Sequence, residues 1–171
     1  MGINWEILIK KFGLNEATTK FEQLSLYYVQ DTYREYNWIL TQETHDNNRD
    51  IHLKEYEDYE KKKSEDKPDF SDKWAEAKYK KNSVSLRKKD LDPTILSGLI
   101  DGEVELIIFI TNGNIPTSLL YRNMIGADIK NIKISYVIGR QLEDWLYLNP
   151  QIYFKIFEEK LTINGIKKDC I

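Results

Sequence analysis

The spacing of apolar residues changes period several times along the chain, and each change marks an expected element. From Asn4 to Phe12, the residues Trp5, Leu8, Ile9 and Phe12 recur at helical spacing, and Gly13 predicts the stop. A second helix is expected from about Ala17 to Tyr33. Thr18 or Thr19 is its candidate cap, and Phe21, Leu24, Leu26, Tyr28 and Val29 supply its apolar side. The pattern then turns to strand formers. Asn37–Gln42 and Asp50–Leu53 predict an antiparallel pair, with Ile51 and Leu53 pointing one way and Asp50 and His52 the other. Residues 54–73 form a charge run, read as a solvated loop or an exposed helix extension, and Pro68 opposes a helix through its end.

Trp74–Tyr79 is the third expected strand. Asp92-Pro93-Thr94 predicts the start of a helix that runs to about Ile100 and ends at Asp101-Gly102. Val104–Thr111 is the most apolar stretch, as a central strand buried on both faces should be. Ile115–Met124 predicts a helix that Pro116 helps to start, and Ile132–Ile138 a fifth strand. Leu142–Lys160 reads as a helical region that Pro150 breaks in two. Its aromatics, Trp145, Tyr147, Tyr153, Phe154 and Phe157, stand at helical spacing and read as core rather than a base-stacking platform. The order predicts one α/β domain over residues 1–171, with a mixed sheet of about five strands flanked by helices.

Composition narrows the function classes. The chain has 171 residues, 41% hydrophobic and 31% charged, which suits one globular domain with a sizeable core. A single cysteine excludes a disulfide framework within the chain, and with two histidines, His45 and His52, no zinc site of the usual kind can be built. No leader-like segment and no membrane-length apolar run is visible, so a cytoplasmic location away from membranes is expected. The net charge of −3 weighs against a protein that only coats nucleic acid. It weighs less against an enzyme that binds transiently and needs carboxylates.

The candidate chemistry lies on two neighbouring strands. Glu76 and Lys78 are two apart on an expected strand and share a face, with Ala75, Ala77 and Tyr79 facing the core. Asp50 opens the preceding strand, and the chain between is long enough for a hairpin to bring the two acids together. Paired carboxylates repel each other, and a hard divalent cation removes the conflict. Such an ion can acidify water and polarise a phosphate. A lysine beside it can orient or deprotonate the water, or offset developing negative charge. The competing reading is a surface Glu–Lys pair, against which Trp74 and Tyr79 argue by flanking the segment with large aromatics.

These residues resemble the PD-(D/E)XK nuclease superfamily, restriction-endonuclease-like and of the Mrr type, over about Lys20 to Phe157. KFEQLSLYYV is similar to the first helix, NNRDIHL carries the first acid as Asp50, and WAEAKYK carries the acid-x-lysine as Glu76 and Lys78. IIFITNG, ending on Thr111 and Asn112, resembles the next core strand, and GRQLEDWL the closing strand-to-helix segment. The resemblance implies that Asp50, Glu76 and the backbone carbonyl of Ala77 bind Mg²⁺, with Mn²⁺ as a substitute, and that Lys78 acts on the water. Glu22 either assists through water or a second metal, or is a solvent-facing helix residue. Two departures stand out: Arg49 replaces the proline before Asp50, and the charge run at 54–73 lengthens the hairpin.

The expected function is therefore DNA phosphodiester hydrolysis, on double-stranded DNA, in restriction or defence against foreign DNA. The alternative from another class is a non-catalytic DNA- or protein-binding module on the same fold. Lys80, Lys81, Arg87, Lys88 and Lys89 follow the active strand and are candidate phosphate contacts, or else a solvated loop. Asn112 is a further candidate DNA contact, or a turn residue with Gly113. Cutting both strands would favour a two-fold homodimer. The chain carries no P-loop and no base-reading motif, so a recognition or NTPase domain is expected elsewhere in a longer protein.

Overall fold

The apolar run at residues 104–111 organises the fold. A computed structural model of the chain describes residues 2–40, 50–53, 72–101, 104–120, 132–163 and 166–168. The run forms strand β4 (Val104–Thr111), numbered after β1 (Trp38–Leu40), β2 (Ile51–Leu53) and β3 (Asp72–Lys78), and followed by β5 (Lys133–Val137). The five make one sheet in the order β1-β2-β3-β4-β5. β1, β2 and β3 are antiparallel neighbours, whereas β3, β4 and β5 run parallel. β4 is thus paired on both sides, and six of its eight residues are apolar and buried. Parallel strands covered on both faces need such continuous apolar sequence.

Both faces are covered. On one, Ala75, Ala77, Ile51, Ile108 and Ile110 meet α1 (Glu6–Phe12), α2 (Leu14–Thr32), α4 (Gly139–Leu148) and α5 (Pro150–Phe157) through Leu8, Phe21, Leu24, Leu142 and Phe157. On the other, Trp74, Ile107 and Phe109 meet α3 (Lys88–Asp101) and the helical turn at 117–120 through Leu91, Leu99 and Leu119. The result is the expected mixed α/β sheet between helical layers. Tyr153 and Phe157 stack at 4.2 Å inside the first layer, as core aromatics do.

Four expectations shift. α2 begins at Leu14, directly after Gly13 (φ 80°) turns the chain, and Thr18 and Thr19 are not caps. Their hydroxyls donate to the carbonyls of Leu14 and Asn15 one turn back, as threonines inside helices do. α3 begins at Lys88 rather than Asp92, because the Asp90 carboxylate accepts the Arg87 N–H at 2.7 Å and closes that end as half a capping box. Pro93 therefore lies inside the helix. A short 3₁₀ turn, Lys81–Ser83, and a final hairpin, β6 (Thr162–Ile163) with β7 (Ile166–Lys167), carry no apolar period that would predict them. His45, most of the charge run and the second half of the Ile115–Met124 helix lie outside the described residues.

Candidate functional site

β2 and β3 pair with Ile51 opposite Ala75 and His52 opposite Trp74. One step further in this register, Asp50 stands opposite Glu76, as hairpin geometry requires. Two bonds tie Asp50 there: its N–H donates to the Ala75 carbonyl at 3.2 Å, and its Oδ2 accepts the Ala77 N–H at 2.8 Å. A residue on one strand thus holds the backbone next to the acid on the other.

Glu76 is only 2% exposed, on the sheet face of Trp74 and Phe109. Lys78 Nζ donates to Glu76 Oε1 and forms an ion pair with it. The second carboxyl oxygen, Oε2, is buried and has no hydrogen-bond partner among the described residues. Glu22 arrives from α2, which packs against β3. Its half-buried carboxyl feels Asp50, and Glu76 feels both. All four predicted residues therefore form one electrostatic cluster.

The cluster is strained in a specific way. Burial pushes the Glu76 carboxyl up to about 8, with Asp50 and Glu22 adding to the rise and Lys78 opposing it. Burial also raises Asp50, against the Ala77 N–H and Lys78. Glu22 is pushed up to about 6, by burial first and then by Asp50. Among the described residues three acids share one cation, so part of their charge is uncompensated in a largely buried site.

These donors fit a divalent cation. A buried carboxyl oxygen without a partner, electrostatically coupled to a second partly buried acid, is relieved by a hard ion that both can ligate. Among the described residues no group of three or more His, Cys, Asp or Glu side chains is placed to hold a metal ion by itself. Magnesium does not require one: it is typically held by one or two carboxylates and completes its octahedron with water and phosphate oxygens.

The end of β4 braces the site. Thr111 Oγ1 donates to the Lys78 carbonyl at 2.9 Å and accepts the Gly113 N–H at 3.1 Å. Asn112 grips Lys80 from both sides, accepting its N–H at 2.6 Å and donating to its carbonyl at 2.8 Å. Asn112 is 3% exposed and stands at the bend after β4, where its side chain brackets the strand ends. Sequence reasoning missed Thr111 as a brace. Its signal was a hydroxyl and an amide side by side where the most apolar strand ends. Replacing Asn112 with Ala should lower stability by about 1–3 kcal/mol, because the Lys80 backbone groups lose their partner in a buried place. A urea midpoint unchanged from wild type would refute that role.

The basic residues divide. Lys80 is spent inside the chain: its Nζ pairs with Asp90 at 2.6 Å, with both side chains largely buried. Lys81, Arg87, Lys88 and Lys89 are exposed. Lys88 pairs with Asp92 at 3.0 Å, a surface bond that contributes little to stability and exchanges readily for another anion.

No protein-family model matches the chain, and no curated protein matches its sequence. No helix among the described residues is long and apolar enough to cross a membrane.

Proposed function

We propose that the chain is a Mg²⁺-dependent endonuclease of the PD-(D/E)XK superfamily that hydrolyses DNA phosphodiester bonds. The observation that carries the reading is the Asp50–Glu76–Lys78 constellation: two acids opposite each other, one fully buried with an orphaned oxygen, and a lysine on its other oxygen. A structural ion pair needs one acid and one base, and has no use for a second carboxyl in the same pocket.

In this reading Asp50, Glu76 and the Ala77 carbonyl hold the ion. When bound, it supplies a Lewis acid for the phosphate and a lower pKa for water. The Ala77 N–H fixes the Asp50 carboxylate through the 2.8 Å bond. Lys78, 29% exposed at the mouth of the site, presents its ammonium to substrate oxygens. Glu22, pushed up to about 6, can accept a proton near neutrality. The exposed Lys81, Arg87, Lys88 and Lys89 serve the phosphate backbone of double-stranded DNA. The wider role, restriction or defence in the cytoplasm by a homodimer or as a module of a longer protein, follows from the resemblance.

Supercoiled plasmid is the direct test. The folded protein should nick it with Mg²⁺ or Mn²⁺ and leave it intact in EDTA. A folded chain that neither nicks nor binds either ion by calorimetry would remove the reading.

A further inference from the structure

A cleft opens at the carboxyl ends of the parallel strands. It has a volume of about 800 Å³ and is lined among others by Ser83, Gly113, Asn114, Gly139, Arg140 and Tyr147. Its volume falls in the range of ligand sites, roughly 300–1,000 Å³. Its position follows from topology. β3, β4 and β5 run parallel, and the segments that follow each of them meet here. After β4 the chain leaves toward the α3 side, where Ile115, Leu119 and Leu120 pack. After β5 it leaves toward the opposite face, where Leu142 and Leu146 pack. Adjacent parallel strands whose connections part to opposite faces leave a crevice at their carboxyl ends, and open α/β sheets bind ligands there.

The floor of the crevice is tight backbone. The Gly139 N–H donates to the Gly113 carbonyl at 2.9 Å. A Cβ at Gly113 would stand 2.1 Å from the Val84 carbonyl oxygen, and one at Gly139 2.3 Å from that of Asn112. Only glycine permits this approach, so both positions shape the cleft. Its walls offer a mixture of chemistries. Arg140 and Asp144 are exposed, Asn114 keeps an amide N–H₂ while its Oδ1 accepts the Ile115 N–H, and Tyr147 and Ile138 are half-buried. Glu143 Oε1 accepts the Trp5 indole N–H at 3.2 Å. With acids at hand beside a single arginine, the cleft is poorly suited to a bare phosphate. Arginine, amide and carboxylate groups are the set that reads base edges, and an aromatic ring is the surface on which a base stacks.

The two sites are joined by the strand ends themselves, since Thr111 holds Lys78 and Asn112 belongs to the cleft wall. Resting on the nuclease reading, we infer that the cleft seats a nucleobase of the substrate strand turned out of the duplex, and so contributes sequence preference. The ¹⁵N-labelled full chain in EDTA, titrated by NMR, tests this without catalysis. The four deoxynucleoside monophosphates, a short single-stranded oligonucleotide and inorganic phosphate are the probes. The oligonucleotide and at least one mononucleotide should shift the Gly113, Asn114, Gly139 and Arg140 amides saturably. Arg140→Ala should weaken that binding about tenfold. Phosphate reproducing the shifts would overturn the inference in favour of a simple anion site. Mononucleotides binding without the oligonucleotide would overturn it in favour of a free nucleotide ligand. Silent amides in a chain that nicks plasmid would sink the cleft alone, whereas shifts in a chain that never nicks would support the base site and remove the nuclease.

Discussion

Replacing Lys78 with Ala should lower metal-dependent plasmid nicking at least about a hundredfold, the usual loss when a donor aimed at developing charge is removed. Among the described residues, Lys78 is the one cation that lowers the Glu22, Asp50 and Glu76 carboxyls, against the burial that raises them. Its Nζ is a donor, to Glu76 Oε1, and its side chain reaches the mouth of the pocket. Transition-state charge on a phosphate would therefore meet this ammonium first. Lys78→Arg separates two roles. An electrostatic donor survives the change in part, since guanidinium keeps charge and hydrogen bonds, whereas a proton acceptor does not. The geometry favours the donor, so Arg should restore more activity than Ala. Each variant must be shown to be folded under the assay conditions, because Lys78 also offsets buried acid and its replacement shifts stability. Undiminished nicking by a folded Lys78→Ala protein would exclude the constellation as the active site.

Much of this is legible in the sequence. Alternation placed Glu76 and Lys78 on one face of β3 and Ala75 and Ala77 on the other, and the structure has Ala75 and Ala77 in the α2-side core and Glu76 facing the Trp74 side. The run at 104–111 was visible as a doubly buried strand, with bounds matched to the residue. Pairing Asp50 with Glu76 needed only hairpin return. The rest has local causes. The turn at Asn112-Gly113 is legible in the sequence, but nothing in the neighbours of Lys80 and Asn112 reveals Asp90 or the Lys80 backbone as their partners. Those contacts cross between elements, and periodicity carries no information about them. The start of α3 was misplaced because Asp92-Pro93 imitates a helix entry, while the true stop-and-start signal is the side chain of Asp90 folding back on Arg87. The switch-point cleft was invisible for the same reason: it depends on which face each crossover takes, which no single segment encodes.

The stability of the metal-free protein should fall as pH rises from about 5 to 8, opposite to the rise expected of carboxylates stabilised by salt bridges. Burial, assisted by Asp50 and Glu22, lifts the folded Glu76 carboxyl from the ordinary 4.5 to about 8. Across that interval the folded state keeps a proton that the unfolded state has released. Folding is then favoured by protons, and their removal destabilises the native chain by about 3–5 kcal/mol in total. Glu22, lifted to about 6, and Asp50, also lifted, add to the same sign in the lower part of the range. Asp31 works the other way, held low by Trp145 and Arg34, but its contribution is lost only under more acid conditions, outside this window. Glu76→Gln keeps the shape of the side chain and removes the titration. It should flatten the slope and exceed wild type in stability at pH 8, at the expense of nicking. Urea unfolding in EDTA at half-unit steps of pH is the measurement. A wild-type profile that is flat or rising from pH 5 to 8 would mean that the pocket does not penalise charge on Glu76. The case for a cation as the missing partner of Oε2 would then lose its energetic basis.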